Sequence, residues 1–148
     1  MKIALGADHR GFKAKEHLKK FLSELGHTAE DFGSFSEDSV DYPDFAEKVA
    51  RSVAGGEFER GIVICDTGIG VCISANKIPK IRAALCWNEK TARMSRAHND
   101  ANVLCLAASF TEPELMERIV ETWLSTAFEG GRHARRVGKI KALEEKPN

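Results

Sequence analysis

The chain of 148 residues has no surplus of either charge: Lys and Arg total 22, and so do Asp and Glu. A formally neutral protein has no general electrostatic pull toward nucleic acid or an anionic bilayer, so neither partner is expected and any anion site has to be built locally. No apolar run approaches the roughly 20 residues that span a bilayer, and the opening Met1-Lys2-Ile3-Ala4-Leu5-Gly6-Ala7 meets charge too soon for a secretory signal. The four cysteines, Cys65, Cys72, Cys86 and Cys105, include no CxxC pair and no dense framework. That excludes a thioredoxin-type couple and a small disulfide scaffold, and points to reduced thiols. Internal repeats, low-complexity tracts and an interdomain linker are also missing. Together these absences predict one domain over 1–148, soluble and cytoplasmic.

What is present is alternation. Segments 2–7 (KIALGA), 28–33, 61–65 (GIVIC), 82–86 and 102–108 read as strands. The stretches 11–26, 42–56, the run to Lys77, 88–98 and 112–128 carry apolar residues at helical spacing, with Gly26 as the stop of the first. Five strands separated by helices predict a parallel α/β sheet covered on both faces, with reactive groups at the strands' carboxyl ends. The first strand ends in Ala7-Asp8-His9, the third in Cys65-Asp66-Thr67-Gly68, and the fourth helix in His98-Asn99-Asp100. Beyond Gly130-Gly131 a helical tail, 130–148, opens with Arg132, His133, Arg135 and Arg136 and is expected to pack on a partner subunit.

The stretch ICDTGIGVC, residues 64–72, invites several chemistries. A cysteine phosphatase loop wants an arginine where Val71 stands. A Walker loop wants Gly-Lys-Ser/Thr after its glycines, and the dinucleotide fingerprint wants a third glycine where Ile73 stands. A receiver domain would need a lysine after the last strand, where Ala107-Ala108-Ser109 offers none. What survives is a glycine turn between strand and helix whose N–H groups hold an oxyanion beside a thiol. The plain alternative is a small buried cysteine ending a strand.

Seven collinear segments carry a wider likeness: GADHRGF (6–12), DYPDFA (41–46), GIVICDTGIG (61–70), SANK (74–77), IRAALC (81–86), SRAHNDANVL (95–104) and EGGRHARRV (129–137). On these the chain resembles the ribose-5-phosphate isomerase type B family, shared with the galactose-6-phosphate isomerase subunits. The resemblance implies a Rossmann-like three-layer α/β/α sandwich with a five-stranded parallel sheet. It also implies a phosphosugar substrate, a homodimer or dimer of dimers with shared active sites, no metal and no organic cofactor.

By the same resemblance, Cys65 is the base that moves the carbon-bound proton, and valine at 71, where another branch of the family carries a glutamate base, agrees with that. Thr67 shuttles protons between the sugar oxygens, and the amides around Gly68, Ile69 and Gly70 hold the enediolate. His98 opens the ring, imidazole being the side chain that exchanges protons near neutrality. Asp8, Tyr42 and Asn99 bind the sugar; His9, Arg132 and Arg136 bind the phosphate. Cys72, Cys86 and Cys105 are expected in the core, and Trp87 and Trp123 in packing or an interface.

Two positions depart from the family pattern: Asp66 replaces a glycine, and Ser109 stands near a usual phosphate-binding arginine. A carboxylate beside Cys65 would either disfavour the thiolate or contact a sugar hydroxyl. Three readings stay open here: isomerisation of ribose 5-phosphate, isomerisation of another sugar (a hexose phosphate or an unphosphorylated aldose), or catalytically silent phosphosugar binding.

Overall fold

The computed structural model describes residues 1–147. Its strands are β1 (Lys2–Ala7), β2 (Thr28–Asp31), β3 (Arg60–Cys65), β4 (Ala83–Leu85) and β5 (Val103–Ala107). The helices are α1 (Phe12–Glu24), α2 (Tyr42–Ala54), α3 (Ile69–Ala75), α4 (Glu89–Ala97), α5 (Pro113–Ser125) and α6 (Arg132–Leu143). All strand pairs are parallel, in the order β2-β1-β3-β5-β4. The α/β sandwich expected from the alternation is therefore present. No helix among the described residues is long and apolar enough to cross a membrane.

The central strands read as unbroken apolar runs because both of their faces are covered. Their period of two divides them between two cores. Ile3, Leu5, Ile62, Ile64, Leu104 and Leu106 meet Leu18 and Leu22 of α1 and Met116, Ile119 and Trp123 of α5. Ala4, Val63, Cys65, Val103 and Cys105 meet Ala46, Val49, Ala50 and Val53 of α2 and Val71 and Ala75 of α3. Helix α2 comes so close to the sheet that a Cβ on Gly61 would lie 2.6 Å from a Val49 methyl.

The elements differ from the sequence expectation mainly at their ends. Strand β4 holds only Ala83–Leu85 because it is a sheet edge. The N–H of Arg82 leaves the ladder for the Asn102 side chain at 2.8 Å. Asn76, just past α3, clamps that edge from outside: its amide accepts from Ala83 N–H at 2.8 Å and donates to the Ala83 carbonyl at 2.9 Å. Helix α3 therefore stops at Ala75 rather than running to Lys77. Helix α1 ends as expected, with Gly26 at φ 82° and the His27 N–H returning to the Leu22 carbonyl at 3.0 Å.

The connection through α1 carries the chain from β1 out to β2, and α2 brings it back across to β3. The reversal falls between β1 and β3, whose carboxyl ends part to form the crevice where ligands bind in such sheets. The outer end of β2 is fixed by charge. Lys15 is fully buried, with Nζ 2.5 Å from Asp31 Oδ2, and Lys19 reaches the same oxygen at 2.9 Å.

Burial pushes the Asp31 carboxyl up. The hydrogen bonds from Lys15, Lys19 and the Gly33 N–H outweigh it and hold the group below the ordinary carboxylate range. Stability drawn from this ionisation is present above the unfolded carboxyl's pKa, near 4, and is lost as pH falls through the lowered folded value. Asp31→Asn strands the Lys15 ammonium, and a loss on the order of 3 kcal/mol is expected in urea unfolding at neutral pH, together with a flatter acid limb. A loss below about 1 kcal/mol would show that Glu16, 3.0 Å from Lys15 Nζ, suffices as partner.

Candidate active site

At the β1/β3 crevice, Cys65 closes β3, with its side chain 5% exposed. The next carbonyls keep pairing outward, Cys65 O with Ala108 N–H at 2.9 Å and Asp66 O with Ser109 N–H at 3.1 Å, so the tips of β3 and β5 leave the sheet together. The chain then turns into α3 through Gly68 at φ 73°. Only glycine fits there: the backbone is left-handed, and a Cβ would lie 2.5 Å from Leu85 Cδ1 and 3.0 Å from the Leu106 carbonyl. Thr67 Oγ1 accepts from the Ile69 N–H at 3.2 Å, which leaves the hydroxyl proton free to donate elsewhere. Tyr42, at the start of α2, lays its ring over Gly70, where a Cβ would overlap it.

Asp8 sits beside this turn, its N–H on the Ile64 carbonyl at 3.2 Å. Its Oδ1 accepts from the Arg10 and Gly11 N–H groups, each at 3.0 Å, and so fixes the entry to α1. His9 accepts from the Val40 N–H through Nδ1 at 3.1 Å. Asp66 does not stand as a lone charge: its Oδ1 takes the Ser109 hydroxyl and the Arg10 guanidinium, the latter at 3.2 and 3.3 Å. The Ser109 hydroxyl most of all, with Arg10 in support, lowers the Asp66 carboxyl and outweighs the opposing effect of desolvation. A cavity of about 450 Å³ opens next to these groups, lined by His9, Arg10, Lys13, Glu37, Ser109 and Glu112 among others.

Of the remaining thiols, Cys86 and Cys105 are raised chiefly by burial and are packing groups. Cys72 differs from the core position expected of it. It is half-buried, its Sγ lies 3.6 Å from both the Ala83 carbonyl and the Asn76 amide, and contact with Cys105 brings its pKa to about 7. Trp123 is fully buried, and Trp87 is exposed.

The other expected site residues lie elsewhere. His98 caps the end of α4, and the next residues pair with the starts of strands. The Asn99 and Asp100 carbonyls accept from Arg82, just before β4, and the Asn102 carbonyl accepts from Gly61 N–H at the start of β3. Strand β3 separates that end from Cys65 by about 16 Å at 3.3 Å per residue. One chain thus brings together Asp8, His9, Tyr42, Cys65, Asp66, Thr67, Gly68, Ile69 and Gly70. It holds His98 and Asn99 at the sheet's opposite end, together with Arg132 and Arg136 at the start of α6. The expectation that reactive groups gather at carboxyl ends is corrected for His98-Asn99-Asp100: α4 begins at the carboxyl edge and so must finish at the amino edge.

His98 and His133 stack with ring centroids 4.0 Å apart and planes 7° apart, and Glu129 Oε2 lies 3.8 and 3.5 Å from their Nε2 atoms. These three residues could offer a metal ligand atoms within 4.8 Å of one another. Parallel imidazoles, however, send their in-plane lone pairs side by side rather than to one point, a poor fit to a single ion. Burial, then the nearby charges of His98 and Arg132, lowers His133.

Residues 3–140 match the profile of the Ribose/Galactose Isomerase family. The chain belongs to that family. It is 46% identical over 147 residues to ribose-5-phosphate isomerase B of Escherichia coli, covering 99% of each chain. Among solved structures it is similar to ribose-5-phosphate isomerase B of Clostridium thermocellum, with TM-score 0.97, 53% identity and 98% of each chain covered. The Mycoplasma genitalium enzyme, solved with bound ribulose-5-phosphate, superposes with TM-score 0.94 at 40% identity, over 99% of this chain and 97% of that one.

The family's likeness did not reveal Arg10, Glu129 or His133. The Arg10–Asp66 pair joins residues 56 apart and becomes visible only once β1 and β3 are neighbours. Glu129 and His133 are spaced i,i+4 across the Gly130-Gly131 turn, a pattern that points to no contact with α4 until the tail is seen against it.

Proposed function

We propose that this chain interconverts D-ribose 5-phosphate and D-ribulose 5-phosphate through a cis-enediolate, in a site completed by a second copy of itself. The observation that carries the reading is the buried Cys65 thiol at the mouth of the β1/β3 crevice, beside the Thr67–Gly70 turn. Full-length similarity to enzymes named for that reaction supports it. No redox or organic cofactor is needed for the chemistry, because aldose and ketose differ only by the position of two hydrogens.

The steps follow from the residue types. His98 takes the proton of the anomeric hydroxyl and returns one to the ring oxygen, breaking the C1–O bond of the cyclic form. The Cys65 thiolate then removes the C2 proton, the C1 carbonyl becomes an enediolate oxygen, and the proton returns at C1 to give the ketose. Thr67, whose hydroxyl proton is uncommitted, moves protons between O1 and O2. The Gly68 and Gly70 N–H groups are the donors this turn offers to the developing negative charge, the Ile69 N–H being engaged by Thr67 Oγ1. Asp8 and Tyr42 hold sugar hydroxyls. Because Asp66 is held by Arg10 and Ser109, it does not stand as a lone charge in the crevice, which weighs against the silent-binding alternative.

His98, Asn99, Arg132 and Arg136 cannot meet the same sugar as Cys65 within one chain, so in this reading they serve a partner's site across a two-fold axis. Exposed apolar side chains supply a surface for such a partner: Ile69 and Ile73 on α3, and Ile140 and Leu143 on α6. Four free cysteines agree with a cytosolic setting.

Cys65→Ala is expected to abolish isomerisation and C2 proton exchange in heavy water while the fold persists. Cys72→Ser, whose sulfur sits on the β4 edge, is expected to stay within about threefold of the parent. Activity kept in Cys65→Ala and lost in Cys72→Ser would move the base to Cys72. The shared site has a sharper test. Inactive Cys65→Ala and His98→Asn chains, unfolded and refolded together, should recover about a quarter of parental turnover, since half of randomly formed dimers carry one intact site. No recovery despite proven mixing would rule out sharing.

A further inference from the structure

We infer that Arg10 is a phosphate-binding residue of this site, held in place by Asp66 and Ser109; the assignment rests on the sugar-phosphate reading above. Arg10 sits in the β1–α1 turn, between His9 and Gly11, where the Asp8 carboxylate pins the backbone through the N–H groups of Arg10 and Gly11 at 3.0 Å. Its side chain crosses the crevice from β1 toward β3. There Nε and Nη2 both donate to Asp66 Oδ1, at 3.3 and 3.2 Å. The same oxygen receives the Ser109 hydroxyl from beyond β5, so three strand ends meet at one carboxylate oxygen.

A guanidinium has two forks of paired N–H groups. The side fork, Nε with one hydrogen of Nη2, is the one that Asp66 takes. The end fork, Nη1 with the outer hydrogen of Nη2, has no partner among the described residues and is left for an anion of matching width, such as two phosphate oxygens. The cavity of about 450 Å³ that Arg10 lines also receives His9 and Lys13. Lys13 lies 3.5 Å from Glu37, His17 lies 2.8 Å from Glu117 and Glu112 adds a further carboxylate to the wall, so the donors left for an anion there are chiefly the end fork of Arg10 and the ring of His9.

Asp66 and Ser109, the two departures from the family pattern, then form one device. Neither is placed to bind phosphate itself; both are positioning residues that orient a guanidinium arriving from the opposite side of the crevice. Because Asp66 engages only the side fork, it fixes the arginine without blocking the end that faces the ligand. Orienting the side chain beforehand lowers the ordering cost of binding.

The test compares full-length parent, Arg10→Ala, Arg10→Lys, Asp66→Asn, the Arg10→Ala/Asp66→Asn double variant and Arg10→Ala/Ser109→Arg. Each is assayed for kcat and KM on ribose 5-phosphate and for binding of inorganic phosphate by calorimetry. Arg10→Ala is expected to raise KM and the phosphate Kd about tenfold or more with kcat within about threefold. Arg10→Lys recovers only part of this, since an ammonium lacks the fork. Asp66→Asn weakens phosphate less than Arg10→Ala does and adds little in the Arg10→Ala background, because its effect runs through the arginine. A guanidinium restored from position 109 should regain phosphate binding.

Unchanged KM and phosphate Kd in Arg10→Ala would overturn the assignment, and fully additive losses would overturn the positioning role of Asp66. A parent that binds phosphate through Arg10 yet fails to isomerise ribose 5-phosphate would sink the sugar reading and leave the anion subsite standing.

Discussion

The order of a parallel sheet wrapped by helices on both faces determines where this protein can do chemistry. The apolar side chains of the central strands are committed to one core or the other, Ile62 and Ile64 to one side, Val63 and Cys65 to the other. Backbone and side chains become available to a ligand only where strands stop. Between β1 and β3 the direction in which strands are added to the sheet reverses, which spreads two such ends apart and opens them to solvent. Cys65 occupies the one position that belongs to both worlds: it is the last inward residue of β3 and the first residue of the crevice. Its small size suits the core, and its thiol suits the site.

The same order imposes a cost. A helix that follows a strand begins at the carboxyl edge and, at 1.5 Å per residue, finishes near the amino edge. His98, placed at the end of α4 rather than its beginning, is therefore carried away from Cys65, and the tail that starts with Arg132 settles beside it through the His98–His133 stack. A chain built in this way holds two incomplete collections of polar groups at opposite edges. In the reading proposed above, a two-fold pairing would place the amino-edge set of one chain on the carboxyl-edge set of another, and would do so twice, which makes self-association the economical completion. The exposed aliphatic side chains of α3 and α6 are consistent with that arrangement, since each helix buries one face, through Val71 and Ala75 or through Val137, and leaves apolar residues on the other.

Much of the fold was legible because its signals are local. Unbroken runs such as GIVIC mark buried strands, and Gly26 and Gly68 mark places where the backbone must turn left-handed. The limits of β4 and α3 were not, because they depend on Asn76 clamping Ala83, a contact between an edge strand and a helix end that no periodicity records. The site was legible in a different sense. Asp8, Cys65, Thr67 and Gly68 follow from what stands at strand ends. The motif likeness listed His98 and Arg132 beside them without saying that they lie at the other edge. The roles of Asp66 and Ser109 were hidden for the same reason as Arg10: the three are far apart in sequence and meet only because β1, β3 and β5 are adjacent.

That meeting alters the electrostatic reading of the crevice. For a cysteine proposed as the base, a carboxylate next in the chain is, taken alone, an obstacle, and the sequence offers nothing to remove it. With Arg10 across one oxygen and the Ser109 hydroxyl on the same atom, the local charge becomes a dipole, whose field falls off faster with distance than that of a single charge. The lowered proton affinity of Asp66 follows from those partners and keeps the pair intact across the neutral range. The positive end of the dipole lines the cavity where, in the proposed reading, an anionic substrate group would sit. A substitution that looks harmful to the base in one dimension becomes, once the strands are side by side, a means of holding the opposite charge where the substrate needs it.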